Sequence, residues 1–218
     1  VSERIPIKGT YKGFDIVSMP PSSSGGVHLI QMLNMLELHS LNKMGFGSSD
    51  SIHLLVEVMK RAYADRSKFL GDTDFVEVPL LGLMNKEYAK NLLSKISLTQ
   101  ATPSEEVLIG DPLPYESPDT THFSVMDEKG NAVSNTYTLN FSYGSGIVIP
   151  GTGFFINNEM DDFSSKPGQP NAFGLIGEKA NEIEPNKRPL SSMTPTIVFK
   201  EGKPYIVLGS PGGSRIIT

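Results

Sequence analysis

The 218-residue chain contains no cysteine. That excludes disulfides, thiolate metal sites and a cysteine nucleophile, and it leaves the redox compartment open. No apolar run approaches the roughly 20 residues of a helical membrane span. Basic residues are outnumbered, 19 against 24, and the net charge of −5 argues against a nucleic-acid surface. The four histidines, His28, His39, His53 and His122, include no pair at the i, i+4 spacing of a helical zinc site and read as solvated or satisfied side chains. Hydrophobic residues at 38% and charged residues at 20% exclude a disordered or fibrous chain. At roughly 150 residues per domain, the length allows one large domain or two small ones. The chain opens Val1-Ser-Glu-Arg and stops just after a glycine-rich turn, so it is read as an internal fragment.

Hydrophobic periodicity divides the chain near residue 120. Residues 10–18 read as one short strand, and Met19 to Gly26 as a turn-rich break. A helix is expected from Val27 to Leu38, with Leu29, Leu33 and Leu36 on one face. A longer helix capped by Ser49-Asp50 should present Ile52, Leu55, Val56, Met59, Ala62 and Tyr63, and end at Gly71. Residues 85–95 form a weaker third helix, and 99–119, polar with four prolines, an exposed connector. Beyond it, His122–Met126 and Ala132–Thr138 flank the turn Asp127 to Asn131 as a hairpin. Gly153–Ile156 is a further expected strand, 164–190 a long loop, and Pro195–Lys200 with Pro204–Leu208 a last hairpin. Helices followed by antiparallel strands give an α+β class.

Several short patterns admit both chemistry and plain structure. Asp72-Thr-Asp74 matches the opening of a calcium loop but lacks its glycine and closing glutamate, so it is read as a helix exit. Asn140-Phe-Ser142 matches a glycosylation acceptor. Gly209 to Ser214 suits an anion or oxyanion through successive N–H groups, or is a tight turn; it fits neither a P-loop nor a dinucleotide fingerprint. Asp161-Asp162 is a cation clamp or a solvated loop, and Ser191-Ser192 a ligand clamp or a polar loop. Thr120, where connector meets strand, becomes a nucleophile if the chain is cut before it. The freed α-amine, with a pKa of roughly 7.7–8.0, can then take the hydroxyl proton.

Taken together, these segments resemble γ-glutamyltranspeptidases, most closely the bacterial branch. The resemblance rests on Thr120 to Val133, on Asn157 to Ser164, on Asn186 to Met193 and on Gly209 to Arg215. Upstream it rests on Met19 to Gly26 and Tyr63-Ala-Asp-Arg66. It implies the N-terminal nucleophile hydrolase fold, a four-layer αββα sandwich. Residues 1–119 would close the large subunit as a helical layer plus connector. Residues 120–218 would open the small subunit with part of the catalytic sheet, the two pairing as a heterodimer after self-cleavage between Asp119 and Thr120. Thr120 would then attack glutathione or another γ-glutamyl donor, and water, an amino acid or a peptide would accept the acyl group. By the same resemblance Thr138 orients the nucleophile, and Gly212 and Gly213 form the oxyanion hole. Ser191 and Ser192 hold the substrate α-carboxylate, and Asn140, Glu159 and Asp162 the α-ammonium. Phe173 lies on the lid loop. No metal or organic cofactor is implied, and a bacterial member would be periplasmic or secreted.

Three departures accompany the resemblance. The family's carboxylate-binding arginine belongs to a part of the large subunit absent from this sequence. Phe173 stands where many members have a tyrosine tied to the asparagine matching Asn140. The end of the small subunit is also missing. Cephalosporin acylases and polyglutamate-processing relatives share the nucleophile and the oxyanion glycines. A catalytically silent fragment and a non-catalytic anion-binding module on Gly209 to Ser214 are the remaining alternatives.

Overall fold

The computed structural model describes residues 3–107 and 121–218; Asp119 and Thr120 lie outside the described residues. The chain opens not with one strand but with a hairpin, β1 (Ile7–Tyr11) and β2 (Phe14–Ser18). Its two-residue turn places Lys12 at φ 46° and Gly13 at φ 86°, the left-handed pair a tight hairpin requires. After the break, α1 (Gly25–Leu36) starts two residues before the expected helix. It is buried almost all round, Val27 and Met35 completely, so it has no polar face of the kind a surface helix shows. One side lies so close to β1 that a Cβ on Gly9 would come within 2.7 Å of Ile30.

The short α2 (Leu41–Met44) leads to α3 (Ser49–Phe69). Its cap is Ser48, one residue earlier than expected, accepting the Ser51 N–H at 3.2 Å. The buried stripe is Leu54, Val58 and Ala62, whereas Ile52 and Val56 face outward. The expected face was displaced because Glu57 and Arg61 point inward, joined at 2.8 Å in a buried ion pair. A short α4 (Leu80–Leu83) precedes α5 (Lys86–Leu93), which Asn85 caps through two N–H groups. Helices α1, α3 and α5 share one apolar core through Met35, Leu54, Val58, Ala62 and Ala89. Each such burial contributes roughly 1–3 kcal/mol.

The second half supplies β3 (Thr121–Met126) and β4 (Ala132–Tyr137), paired around the expected turn, then β5 (Thr196–Lys200) and β6 (Lys203–Leu208). The main sheet runs β1-β2-β5-β6, all antiparallel, and β3-β4 is a separate two-stranded sheet. The first segment is therefore not helical layer and connector alone: its β2 pairs with β5 of the second. Ser134 on β4 ties the two sheets, donating to Leu208 O at 2.9 Å and accepting from Thr196 N at 3.0 Å. Gly153–Ile156 forms no strand; an isolated bridge joins Val148 and Phe155. Gly151 and Gly153, both at positive φ, make the turn between the two arms, which are held by Ile149 N donating to Phe154 O and Ile156 N to Ile147 O, both at 2.9 Å. The described residues are thus helices packed on antiparallel sheet, an α+β arrangement, and none of their helices is long and apolar enough to cross a membrane.

Candidate functional site

One cleft gathers Thr138, Asn140, Asp162, Phe173, Ser191, Ser192 and Gly213, with Leu175, Met193 and Ile216 as its apolar wall. These residues come from five separate stretches of chain, and each is held by identifiable bonds.

The serine pair is carried by an extended segment laid along the break before α1. Ser191 N donates to Ser22 O and Ser24 N to Ser191 O, both at 2.9 Å. Ser23 Oγ donates to Met193 O at 2.7 Å, and Ser24 Oγ to Ser191 O at 2.9 Å. Gly25 permits this close seat: a Cβ there would collide with Thr194 Oγ1 and Met193 O. Upstream, Arg188 clamps the segment to the end of α3. Its N and Nε donate to Asp72 Oδ2 at 2.9 and 2.8 Å, and its Nη2 to Asp72 Oδ1 and Asp74 Oδ2. Asp72 is wholly buried, so the helix-exit reading of Asp72-Thr-Asp74 understates a buried anchor. Both serine hydroxyls act as acceptors within the protein. Ser191 Oγ takes the Met193 N–H at 3.0 Å and Ser192 Oγ takes Arg66 Nη2 at 3.2 Å. Among the described residues nothing accepts a proton from either, so both remain donors toward a ligand.

The acidic side is a single 3₁₀ turn, Glu159–Asp162. Asp162 is pushed up to about 7, first by burial and then by the Glu159 charge, against the opposing pull of Arg66. Glu159, which shares a hydrogen bond with Asp162, is also raised, chiefly by burial. Asn181, buried and unremarked in the sequence, joins this turn to the serine segment: its Nδ2 donates to Asp162 O at 2.7 Å and its Oδ1 accepts Leu190 N at 3.0 Å. Asn140 sits at φ 76°, a left-handed position that asparagine tolerates, and its Nδ2 donates to Asn158 O at 3.2 Å. Its Oδ1 accepts no hydrogen bond among the described residues. Thr138 Oγ1 accepts the Asn140 N–H at 2.9 Å. Phe173 is buried edge-on to Phe141, ring centres 5.3 Å apart, and its loop is pinned by Ala172 N donating to Asp161.

On the far wall, β6 runs into Gly212 (φ 138°) and Gly213 (φ 54°), which opens the 3₁₀ turn Gly213–Ile217. Neither glycine N–H has an acceptor among the described residues. Gly209, at the start of this loop, lies flat against the His122 ring on β3, with no room for a Cβ. That ring is held between Thr136 Oγ1 at 2.8 Å and Ser124 Oγ at 2.9 Å, a structural role in line with its sequence reading. Strand β3 starts with Thr121 opposite Tyr137, beside Thr138.

Two buried titratable residues to which the sequence reading gave no part in the chemistry lie beside the serine segment. Arg66 on α3 is buried behind Ser192, and burial lowers its guanidinium against the raising pull of Tyr63 and Asp162. It also borders a cavity of about 220 Å³ beside Gly174–Ile176. His28 on α1 is buried with Nδ1 against Ser24 O at 3.0 Å; burial first and the Arg66 charge second hold it down to about 3, so it is neutral. No group of three or more histidine or acidic side chains among the described residues is arranged to hold a metal.

A sequence model of γ-glutamyltranspeptidases matches residues 1–218. The glutathione hydrolase proenzyme of Escherichia coli strain K12 is 57% identical over 216 residues, covering 99% of this chain and 37% of its own length. The acylase ACY 1 proenzyme of Pseudomonas sp. strain SE83 is 43% identical over 213 residues, covering 98% of this chain and 36% of its own. The crystal structure of cephalosporin acylase from Bacillus halodurans aligns with a TM-score of 0.73 over 94% of this chain and 34% of that one, at 24% identity, a likeness of fold. The chain thus spans little more than a third of the length of the curated relatives it matches.

Proposed function

The chain belongs to the γ-glutamyltranspeptidase family, and on that premise we propose that the protein it comes from is a γ-glutamyl hydrolase and transferase acting through Thr120. The fold is read as the catalytic portion of an αββα N-terminal nucleophile hydrolase. Cleavage between Asp119 and Thr120 frees the threonine amine. The two pieces stay together as large and small subunit through the β2–β5 pairing.

The reaction assigns a role to Thr120 and to the groups described above. The Thr120 hydroxyl attacks the γ-carbonyl of glutathione or another γ-glutamyl compound while its own α-amine takes the proton. Negative charge developing on the carbonyl oxygen is met by the Gly212 and Gly213 N–H groups. The amine leaves with a proton, the γ-glutamyl ester remains on Thr120, and water or an acceptor amine removes it. Ser191 and Ser192, each with an unspent O–H, donate to the α-carboxylate. Asn140 Oδ1, Glu159 and Asp162 accept from the α-ammonium. Thr138 orients the nucleophile, and Phe173 closes the loop over the acyl group.

The single observation that carries this reading is the pairing, in one cleft, of two hydroxyl donors with an amide acceptor and a carboxylate. That set matches a zwitterionic α-carbon. A glutaryl side chain, as in cephalosporin acylation, has no ammonium for Asp162. The test is hydrolysis of glutathione against a glutaryl-cephalosporin by the full-length protein and by Thr120→Ala. Glutathione cleavage lost in the variant is expected; preference for the cephalosporin, or unchanged release by the variant, would overturn the reading.

A further inference from the structure

We propose that Arg66 is a positioning residue for the substrate carboxylate: it fixes Ser192 Oγ as an acceptor, so that the hydroxyl proton is left for the carboxylate, and sets a buried positive charge behind it. The proposal rests on the assignment of Ser191 and Ser192 to the α-carboxylate and adds to it a residue of this chain, distinct from the arginine that the family resemblance places elsewhere.

A guanidinium has donors only, so at 3.2 Å from Arg66 Nη2 the Ser192 oxygen must accept. Arg66 Nη2 also reaches Leu190 O at 3.4 Å, and Nε donates to Ser24 Oγ at 3.0 Å. Ser24 Oγ in turn donates to Ser191 O, so one guanidinium sets both serines. Burial of a cation is costly unless it is paired. Yet Arg66 is only 5% exposed, and among the described residues no carboxylate lies within ion-pair distance of it. Its direct partners, Ser24, Ser192 and the Leu190 carbonyl, are all neutral, and the adjacent His28 is neutral too. Asp162, which borders the same narrow cavity as Arg66, is the nearby acid, and it is the group already assigned to the substrate ammonium. A carboxylate seated on Ser192 supplies the missing counter-charge through one hydroxyl.

The test compares two substrates on the full-length processed enzyme: γ-glutamyl anilide, and 4-aminobutyryl anilide, which keeps the ammonium and lacks the carboxylate. For Arg66→Gln the expected result is a KM for γ-glutamyl anilide raised about tenfold, kcat within about threefold, and no more than about threefold change in kcat/KM for the decarboxylated substrate. Arg66→Lys, which restores the charge with fewer donors, should recover part of the loss. Arg66→Gln added to Ser192→Ala should do less harm than Arg66→Gln does alone, because the route through Ser192 is already gone. Equal loss on both substrates, or an unchanged KM for γ-glutamyl anilide, overturns the proposal. If Arg66→Gln fails to process or fold, Arg66→Lys is read by the same criterion. If Ser192→Ala itself does not separate the two substrates, the carboxylate assignment fails. If Ser192→Ala separates them and the Arg66 variants do not, only Arg66 fails.

Discussion

Asp72→Asn should destabilise the protein by about 2–3 kcal/mol near neutral pH, and the figure follows from the clamp on the serine segment. Burial alone would raise the Asp72 carboxyl, but hydrogen bonds from Arg188 side chain and backbone and from Asp74 N, with the Arg188 charge, outweigh it and hold the group down to about 2 from 3.8. A shift of about two units, at about 1.4 kcal/mol each, gives the stated range. Asp72 has no exposed surface, so the shift needs no discount for solvent, whereas Arg188 is about a third exposed. That exposure keeps the loss below the 3–5 kcal/mol typical of breaking a fully buried pair, here about 2–3. The sign is that of a depressed acid. The stabilisation is complete above about pH 4 and disappears as pH falls through 2, so variant and wild type should converge in acid. The assay is urea unfolding of the full-length protein, with Arg188→Gln and the double variant completing a cycle. Because Arg188 lies three residues before Ser191, the variant should also raise KM for γ-glutamyl substrates. A loss under about 0.5 kcal/mol at pH 7, or a coupling energy of that size, would refute the clamp.

Other outcomes follow from the same geometry. Asp162 must be ionised to accept from an ammonium and is raised to about 7, so KM for γ-glutamyl anilide should fall as pH rises through 7. Asp162→Asn should abolish that inflection in a pH series of initial rates, and an inflection that survives the change contradicts the assignment. Gly212→Ala puts a side chain at φ 138° and disturbs the proposed oxyanion donor, so kcat should drop about 10²-fold or more in steady-state kinetics. A kcat within threefold of wild type would remove Gly212 from the site. Gly25→Ala drives a methyl into Thr194 Oγ1 and Met193 O, and should cost at least about 2 kcal/mol by thermal unfolding while raising KM. A neutral effect would mean that the serine segment is not seated on α1.

The parts of the fold legible in the sequence were those with local causes. The β3–β4 hairpin declared itself through Val and Thr flanking Asp127 to Asn131, and α5 (Lys86–Leu93) falls inside the expected 85–95. The errors have physical sources. Lys12-Gly13 supplies a two-residue turn with one lysine in the left-handed region, a pairing that composition does not advertise, so two strands read as one. In α3, an inward Glu57–Arg61 pair rotates the buried face away from the apolar residues on which the periodicity rested. Around the site, Thr138 was reached by family resemblance alone, whereas Asn140, Asp162, Ser191, Ser192 and Gly213 stood in short patterns that each admitted a second reading until the resemblance gave them roles. Arg66, Asp72 and Asn181 were missed as site residues because a charged or amide side chain reads as surface until its burial and its partners are seen.

The most direct test of the central claim is the intact mass of the full-length protein, taken before and after mixing with a slowly turned-over γ-glutamyl substrate. The account predicts two polypeptides separated between Asp119 and Thr120. It also predicts that the one beginning with Thr120 gains the mass of a single γ-glutamyl group on its first residue. A chain that stays whole yet releases γ-glutamyl product, or an adduct mapped to any other residue, would contradict it.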